Sequence, residues 1–173
     1  MNWNVRILPL RVGWAYFGAP FGEGEVRMDF VAAALVYAAQ MRVDVVNLSF
    51  ASLNDVGLDA AIDAATTAGV TIVTSAGNNG QPNYIATRRE VISVASVSSE
   101  DVLSGFSNRG PQIDLAAPGQ NIASTYLAPR PATIDSLGQR QPSYSTALSG
   151  TSFSSPMTAG VAALLQARRH QLG

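Results

Sequence analysis

Residues 43–80 read VDVVNLSFASLNDVGLDAAIDAATTAGVTIVTSAGNNG, and the architecture follows from their periodicity. Val43 to Ser49 is a nearly continuous apolar run of strand length, the pattern of a strand buried on both faces. Leu58, Ala61, Ile62, Ala65 and Ala68 then recur at helical spacing, on one face of a helix that Gly69 can end in the left-handed conformation. A second apolar run, Val70 to Ser75, follows directly. Strand, helix and strand at these lengths make a βαβ unit, whose two strands run parallel.

Upstream, a helix is expected to start near Met28 or Asp29, with Phe30, Val31, Ala34, Leu35, Ala38 and Met41 on one stripe. It gives a second crossover into the Val43 strand. Val5 to Val12 reads as a strand, broken by Pro9 and closed by Gly13. Between them, Gly13 to Glu25 carries Gly13, Gly18, Pro20, Gly22 and Gly24, a density of breakers that makes it a loop. Downstream, Val91 to Val97, Ile113 to Ala117 and Ile122 to Thr125 read as strands. The last two are joined at Pro118-Gly119 and are expected to form an edge hairpin. Tyr126 to Ser143 is an extended loop or irregular hairpin. A final helix begins near Thr151, with Pro156 in its first turn, Met157, Val161, Leu164 and Leu165 as its apolar face, and Arg168, Arg169 and His170 at its C-terminus. The expected fold is α/β: three layers, α/β/α, around a mostly parallel sheet, in one domain of 173 residues.

Composition narrows the partners. Hydrophobic residues make up 47% and charged residues only 13%, against roughly 25% charged on average. So little solvating surface suits a sheet covered by helices, or a piece of a larger domain whose remainder covers an apolar face. The formal net charge is -1, with no basic stripe, so neither nucleic acid nor anionic lipid is an expected partner. Absence of cysteine excludes disulfides and thiolate metal sites. No basic segment followed by an apolar run opens the chain, and no apolar stretch reaches membrane-spanning length. Neither a membrane span nor a signal peptide is expected in this chain.

Two short segments carry chemistry. In Gly150-Thr151-Ser152-Phe153-Ser154-Ser155-Pro156, a tight turn runs into the last helix and leaves Ser152 at its mouth. Free backbone N–H groups there can bind the oxyanion that forms when a hydroxyl attacks a carbonyl. Thr151 and Ser152 also suit plain helix capping. In Ser75-Ala76-Gly77-Asn78-Asn79-Gly80, at the end of a strand, a side-chain amide can supply a second donor, though Asn-Asn-Gly also forms ordinary turns.

The first segment, continued by Met157-Thr158-Ala159-Gly160, resembles the Gly-Thr-Ser-x-Ala/Ser-x-Pro nucleophile signature of the subtilisin-like serine proteases, the subtilases of peptidase family S8. The second resembles their Ala-Ala-Gly-Asn motif. Asp44-Val45-Val46-Asn47-Leu48-Ser49 resembles the strand leading to the substrate-binding segment. Phe106-Ser107-Asn108-Arg109-Gly110-Pro111, with Asp114-Leu115-Ala116-Ala117-Pro118-Gly119, resembles a structural stretch between oxyanion asparagine and nucleophile. The four motifs stand in family order, and the resemblance runs from about Val5 to about Arg168. It implies a subtilisin-like fold and a serine endopeptidase with Ser152 as nucleophile and Asn78 as oxyanion donor. It implies an extended peptide or protein substrate paired along Ser49, Phe50 and Ala51, in a primary pocket walled by Ser75, Ala76 and Gly77. Many members have glycine where this chain has Ala51, and Phe50 also suits a strand-end core residue. Secretion is a family expectation.

A serine hydroxyl needs a base, which in this mechanism is a histidine oriented by an aspartate. The single histidine, His170, lies on the same expected helix as Ser152, about 27 Å away at a rise of about 1.5 Å per residue. It is expected to be a solvated helix-end residue. Asp44, Asp63 and Asp114 match no catalytic position, and the family's aspartate and histidine motifs precede the segment matched by Val5 to Val12. The expectation is therefore a domain incomplete at its N-terminus, inactive alone, prone to association through its uncovered sheet edge, with the missing N-terminal part as partner. A split enzyme and an inactive relative remain as alternatives, the latter a noncatalytic peptide-binding module. A nucleotide-binding protein is disfavoured, because neither Gly-rich loop has phosphate-cradling spacing. Between Tyr84 and Glu90, Ile85 and Arg88-Arg89 replace the family's proline and aromatic residues. No cofactor or metal is expected.

Overall fold

The structure is a computed structural model that describes residues 4–14, 24–54, 57–125 and 144–172. In chain order the elements are β1 (Gly13–Trp14), β2 (Glu25–Val26), α1 (Met28–Gln40), β3 (Val45–Leu48), α2 (Leu58–Thr67), β4 (Thr71–Ser75), a 3-10 turn (Ile85–Thr87), β5 (Val91–Val97), β6 (Leu115–Pro118), β7 (Ile122–Thr125), β8 (Tyr144–Leu148) and α3 (Thr151–Leu172). Strands β3-β4-β5-β6 form one parallel sheet in that order. Val45 lies opposite Thr71, and Ile72 opposite Val91.

Alternation along the strands assigns the two faces. Leu48, Ile72 and Val91 join Val31 and Leu35 of α1 and Leu58, Ile62 and Ala65 of α2 in one buried cluster. Their strand neighbours point the other way: Asn47 accepts from Ser155 and Thr71 from Gln166, both on α3. Helices therefore cover both faces, in the expected three layers. The α2-to-β4 turn closes as its sequence implies, with Gly69 at a φ of +88° and Val70 N–H donating to the Ala65 carbonyl at 3.0 Å.

Four expectations need correction. Residues 5–12 form no strand; regular pairing begins only at Gly13–Trp14 with Glu25–Val26, and Val5, Ile7, Leu8 and Leu10 are exposed. A strand needs a neighbour's ladder, and among the described residues β3 pairs only with β4. Likewise β6 and β7 are not a hairpin. Strand β6 joins β5 in the main sheet, while β7 pairs antiparallel with β8, a strand the sequence reading passed over. The Pro118-Gly119 corner carries the chain out of the main sheet, and Gly150 N–H donates to the Gly119 carbonyl at 2.8 Å. Residues 126–143, expected to be a loop or irregular hairpin, lie outside the described residues.

In α1, Val31, Leu35 and Ala38 are buried while Phe30 and Met41 are exposed. Phe30 instead packs against Trp14 beneath the Arg27 guanidinium. In α3, the expected apolar face of Met157, Val161, Leu164 and Leu165 is exposed. The buried residues are Thr151, Ser154 and Ser155, small side chains that let the first turn approach the sheet closely.

Candidate active site

Ser49 follows β3, Ala76 to Asn78 follow β4, and α3 begins at Thr151, so all three segments meet at the carboxyl ends of parallel strands. In open α/β sheets this rim is where ligands bind.

The Asn78 side chain is fixed from one side. Its Oδ1 accepts the Thr151 backbone N–H at 2.9 Å and the Thr151 hydroxyl at 2.8 Å. The amide nitrogen is thereby turned away from Thr151, and among the described residues it has no hydrogen-bond partner. A methyl group placed on Gly150 would lie 3.4 Å from Asn78 Nδ2 and 3.8 Å from the Ser152 nitrogen. Two donors thus flank one point beside Gly150. The Ser152 N–H belongs to the first helical turn, where backbone donors lack intrahelical acceptors. Such a pair can hold an anionic oxygen.

The Ser152 hydroxyl itself donates to the Ser49 carbonyl at 3.1 Å, and the Ser49 hydroxyl donates back to the Ser152 carbonyl at 3.0 Å. Asn47 Nδ2 donates to Ser49 Oγ at 2.9 Å, while Ser155 Oγ donates to Asn47 Oδ1 at 2.6 Å. This chain of bonds clamps the first turn of α3 against the end of β3. Asn78, bonded to Thr151, lies beside the same turn as Ser152.

Ser75 and Ala76 are buried and Gly77 is half-buried. Phe50 is half-buried against the core cluster, while Ala51 is exposed. Two asparagines hold the segments in place. Asn83 accepts from Ser52 N–H at 3.1 Å and donates to the Ser75 carbonyl at 2.6 Å, spanning from one segment to the other. Asn108 donates from Nδ2 to the carbonyls of Ala76 and Gln81, at 2.9 and 2.6 Å, and accepts from Gly80 N–H at 2.7 Å. Gly77, at a φ of +102°, has its Cβ direction filled by that same amide. Thr151 adds a further tie, its Oγ1 accepting Gly77 N–H at 3.1 Å.

Sequence reasoning gave Thr151 only a capping role and Asn83 and Asn108 none. Asn108 stood inside a quoted motif, which was its one available signal. Asn83 had no signal, because its two partners lie 31 and 8 residues away in sequence.

His170 sits at the opposite end of α3, its Nε2 2.9 Å from Asp44 Oδ1 just before β3. Asp114 accepts from Ser93 N–H at 2.7 Å, and Asp63 binds Arg88. None of these acids reaches Ser152. In the Tyr84–Glu90 segment, Arg88 binds Asp59, Asp63 and Glu90. Burial lowers the Arg88 pKa, but Tyr84 and the three carboxylates outweigh it and the net shift is upward. A hydrogen bond to Asp59, at 2.5 Å, raises the Tyr84 phenol. Among the described residues no three acids or histidines cluster as a metal site, and no helix is long and apolar enough to cross a membrane.

The Subtilase family model matches residues 1–172. The thermophilic serine proteinase of Bacillus sp. strain AK1 is 35% identical over 165 residues, covering 94% of this chain and 36% of that protein. Thermitase of Thermoactinomyces vulgaris is 38% identical over 138 residues, covering 78% of this chain and 44% of thermitase. Among solved structures, a cold adapted subtilisin-like serine proteinase superposes with a TM-score of 0.66 at 31% identity, over 83% of this chain and 50% of that one. The chain thus spans less than half the length of the two curated relatives named here. With its motifs in order on the rim of a parallel sheet and the family model matched almost end to end, the chain belongs to the subtilase family of serine proteases.

Proposed function

We propose that this chain carries the nucleophile and oxyanion hole of a serine endopeptidase, and that the base acting on Ser152 is supplied from outside it. The single observation that carries the reading is that Asn78 Nδ2 and the Ser152 backbone nitrogen both lie within 4 Å of one point beside Gly150. In this reading Ser152 Oγ attacks the carbonyl of an extended peptide lying along Ser49, Phe50 and Ala51. Its proton passes to the external base, and the carbonyl oxygen becomes an oxyanion between the two donors. Collapse expels the amine and leaves an acyl group on Ser152, which water then hydrolyses. Ser75, Ala76 and Gly77 wall the primary pocket.

The chain alone is inactive in this scheme, because its one histidine is held by Asp44 at the far end of α3. The test is labelling by a fluorophosphonate, with and without a polypeptide that bears the family's aspartate and histidine motifs. Labelling is expected only in the mixture and is lost in Ser152→Ala. Equal labelling of the Ser152→Ala mixture sinks the assignment. A second reading, a noncatalytic peptide-binding module, is favoured by the engagement of the Ser152 hydroxyl with the Ser49 carbonyl. It predicts peptide affinity unchanged by Ser152→Ala and no labelling in the mixture.

A further inference from the structure

Asn79-Gly80 directly follows the oxyanion asparagine, and both residues are exposed. Gly80 has no side chain to hinder attack by its own backbone nitrogen on the neighbouring carboxamide. Asn79 Oδ1 accepts Gln81 N–H at 3.0 Å, while the Asn79 amide nitrogen, the leaving group in such an attack, has no partner among the described residues. Opposing this, the Gly80 N–H is tied to Asn108 Oδ1 at 2.7 Å. Asn108 is itself anchored through its other end to the Ala76 and Gln81 carbonyls.

We infer that Asn79 is a self-modification site, a deamidating asparagine, latched by Asn108. When the latch opens, hydroxide removes the Gly80 amide proton and the nitrogen attacks Asn79 Cγ. A C–N bond forms, the bond to Nδ2 breaks, and ammonia leaves a five-membered succinimide. Water then adds to one of its two carbonyls and opens the ring, giving aspartate or isoaspartate without any change of oxidation state. With Asn108 in place, the nitrogen is neither free to deprotonate nor free to swing toward Cγ. The modification does not depend on the peptidase reading, but its consequence does. A carboxylate one residue from Asn78 adds a negative charge close in sequence to the oxyanion donor, and isoaspartate also lengthens the backbone there.

The experiment is peptide-mapping mass spectrometry of the purified chain, incubated at mildly alkaline pH in buffer and in urea, together with Asn108→Ala in buffer. Deamidation at Asn79 is expected to be slower in native wild type than in urea by about tenfold, as one retained hydrogen bond near the upper end of its usual worth implies. In Asn108→Ala it should approach the urea rate while circular dichroism still shows a folded chain. Equal rates in buffer and urea overturn the latch. No deamidation in urea overturns the site. If Asn108→Ala does not fold, hydrogen exchange at the wild-type Gly80 N–H decides: protection supports the latch, and exchange at the unprotected rate overturns it.

Discussion

Asn78 Oδ1 is held by two donors of one residue, the backbone N–H and the hydroxyl of Thr151, at 2.9 and 2.8 Å. The amide can therefore present only its nitrogen to the point beside Gly150. Thr151→Val keeps the shape but removes the hydroxyl, which also accepts Gly77 N–H. The variant should lose roughly 1–3 kcal/mol of stability, because the Gly77 N–H loses its acceptor against the fully buried side chain at position 151. In the reconstituted peptidase proposed above, Asn78→Ala should lower turnover by about 10²–10³, a size carried over from a subtilisin donor, with KM little changed. Thr151→Val should show a smaller loss of the same kind. A rise in KM alone would show that these residues serve binding rather than the oxyanion.

Gly77 allows no side chain. At a φ of +102° an L-residue is strained, and its Cβ would collide with the Asn108 amide. That amide is fixed by the Ala76 and Gln81 carbonyls and cannot retreat cheaply. Gly77→Ala should therefore cost at least about 1 kcal/mol, in line with backbone-incompatible substitutions. A denaturant midpoint equal to wild type would show that the segment can shift as a unit.

The parts legible in the sequence share one property, that local periodicity and tertiary burial agree. Leu58, Ile62 and Ala65 are buried as their spacing implies, and β5 spans the residues of its apolar run. Reading failed where a segment needs a partner that spacing does not reveal. Ile7 and Leu8 have the letters of a strand but no ladder. Leu165 has the position of a core residue but is 67% exposed. At the site, the motifs marked Ser152 and Asn78, while Asn83 acts through contacts between distant segments and left no trace in any local pattern.

Ser154 Oγ is the buried side-chain oxygen among the described residues with no hydrogen-bond partner. It lies against Gly119, whose Cβ direction it shares with Ser96 Oγ and the Gly150 carbonyl. Desolvating a hydroxyl without a partner costs roughly 1–3 kcal/mol. Ser154→Ala removes that cost and little packing, so it should raise the denaturant midpoint by about 1 kcal/mol in equivalent stability. Gly119→Ala should do the reverse, by overpacking. A destabilised Ser154→Ala would mean that the hydroxyl is satisfied in solution.

Tyr84 offers a pH signature of the Tyr84–Glu90 segment. Its phenol donates to Asp59 Oδ1, and that hydrogen bond raises its pKa above the ordinary value of 10.0; burial adds to the rise and Arg88 opposes it. Since the folded pKa is raised, the fold favours the protonated phenol. The resulting contribution to stability is fully present below the ordinary value and is lost as pH rises through the folded one. Phenolate absorbance of wild type minus that of Tyr84→Phe isolates this tyrosine from the other four. Its midpoint should lie above that of a free phenol, and Asp59→Ala should bring it back down. A midpoint at or below the free value would show that the Arg88 charge, not the Asp59 hydrogen bond, dominates at Tyr84.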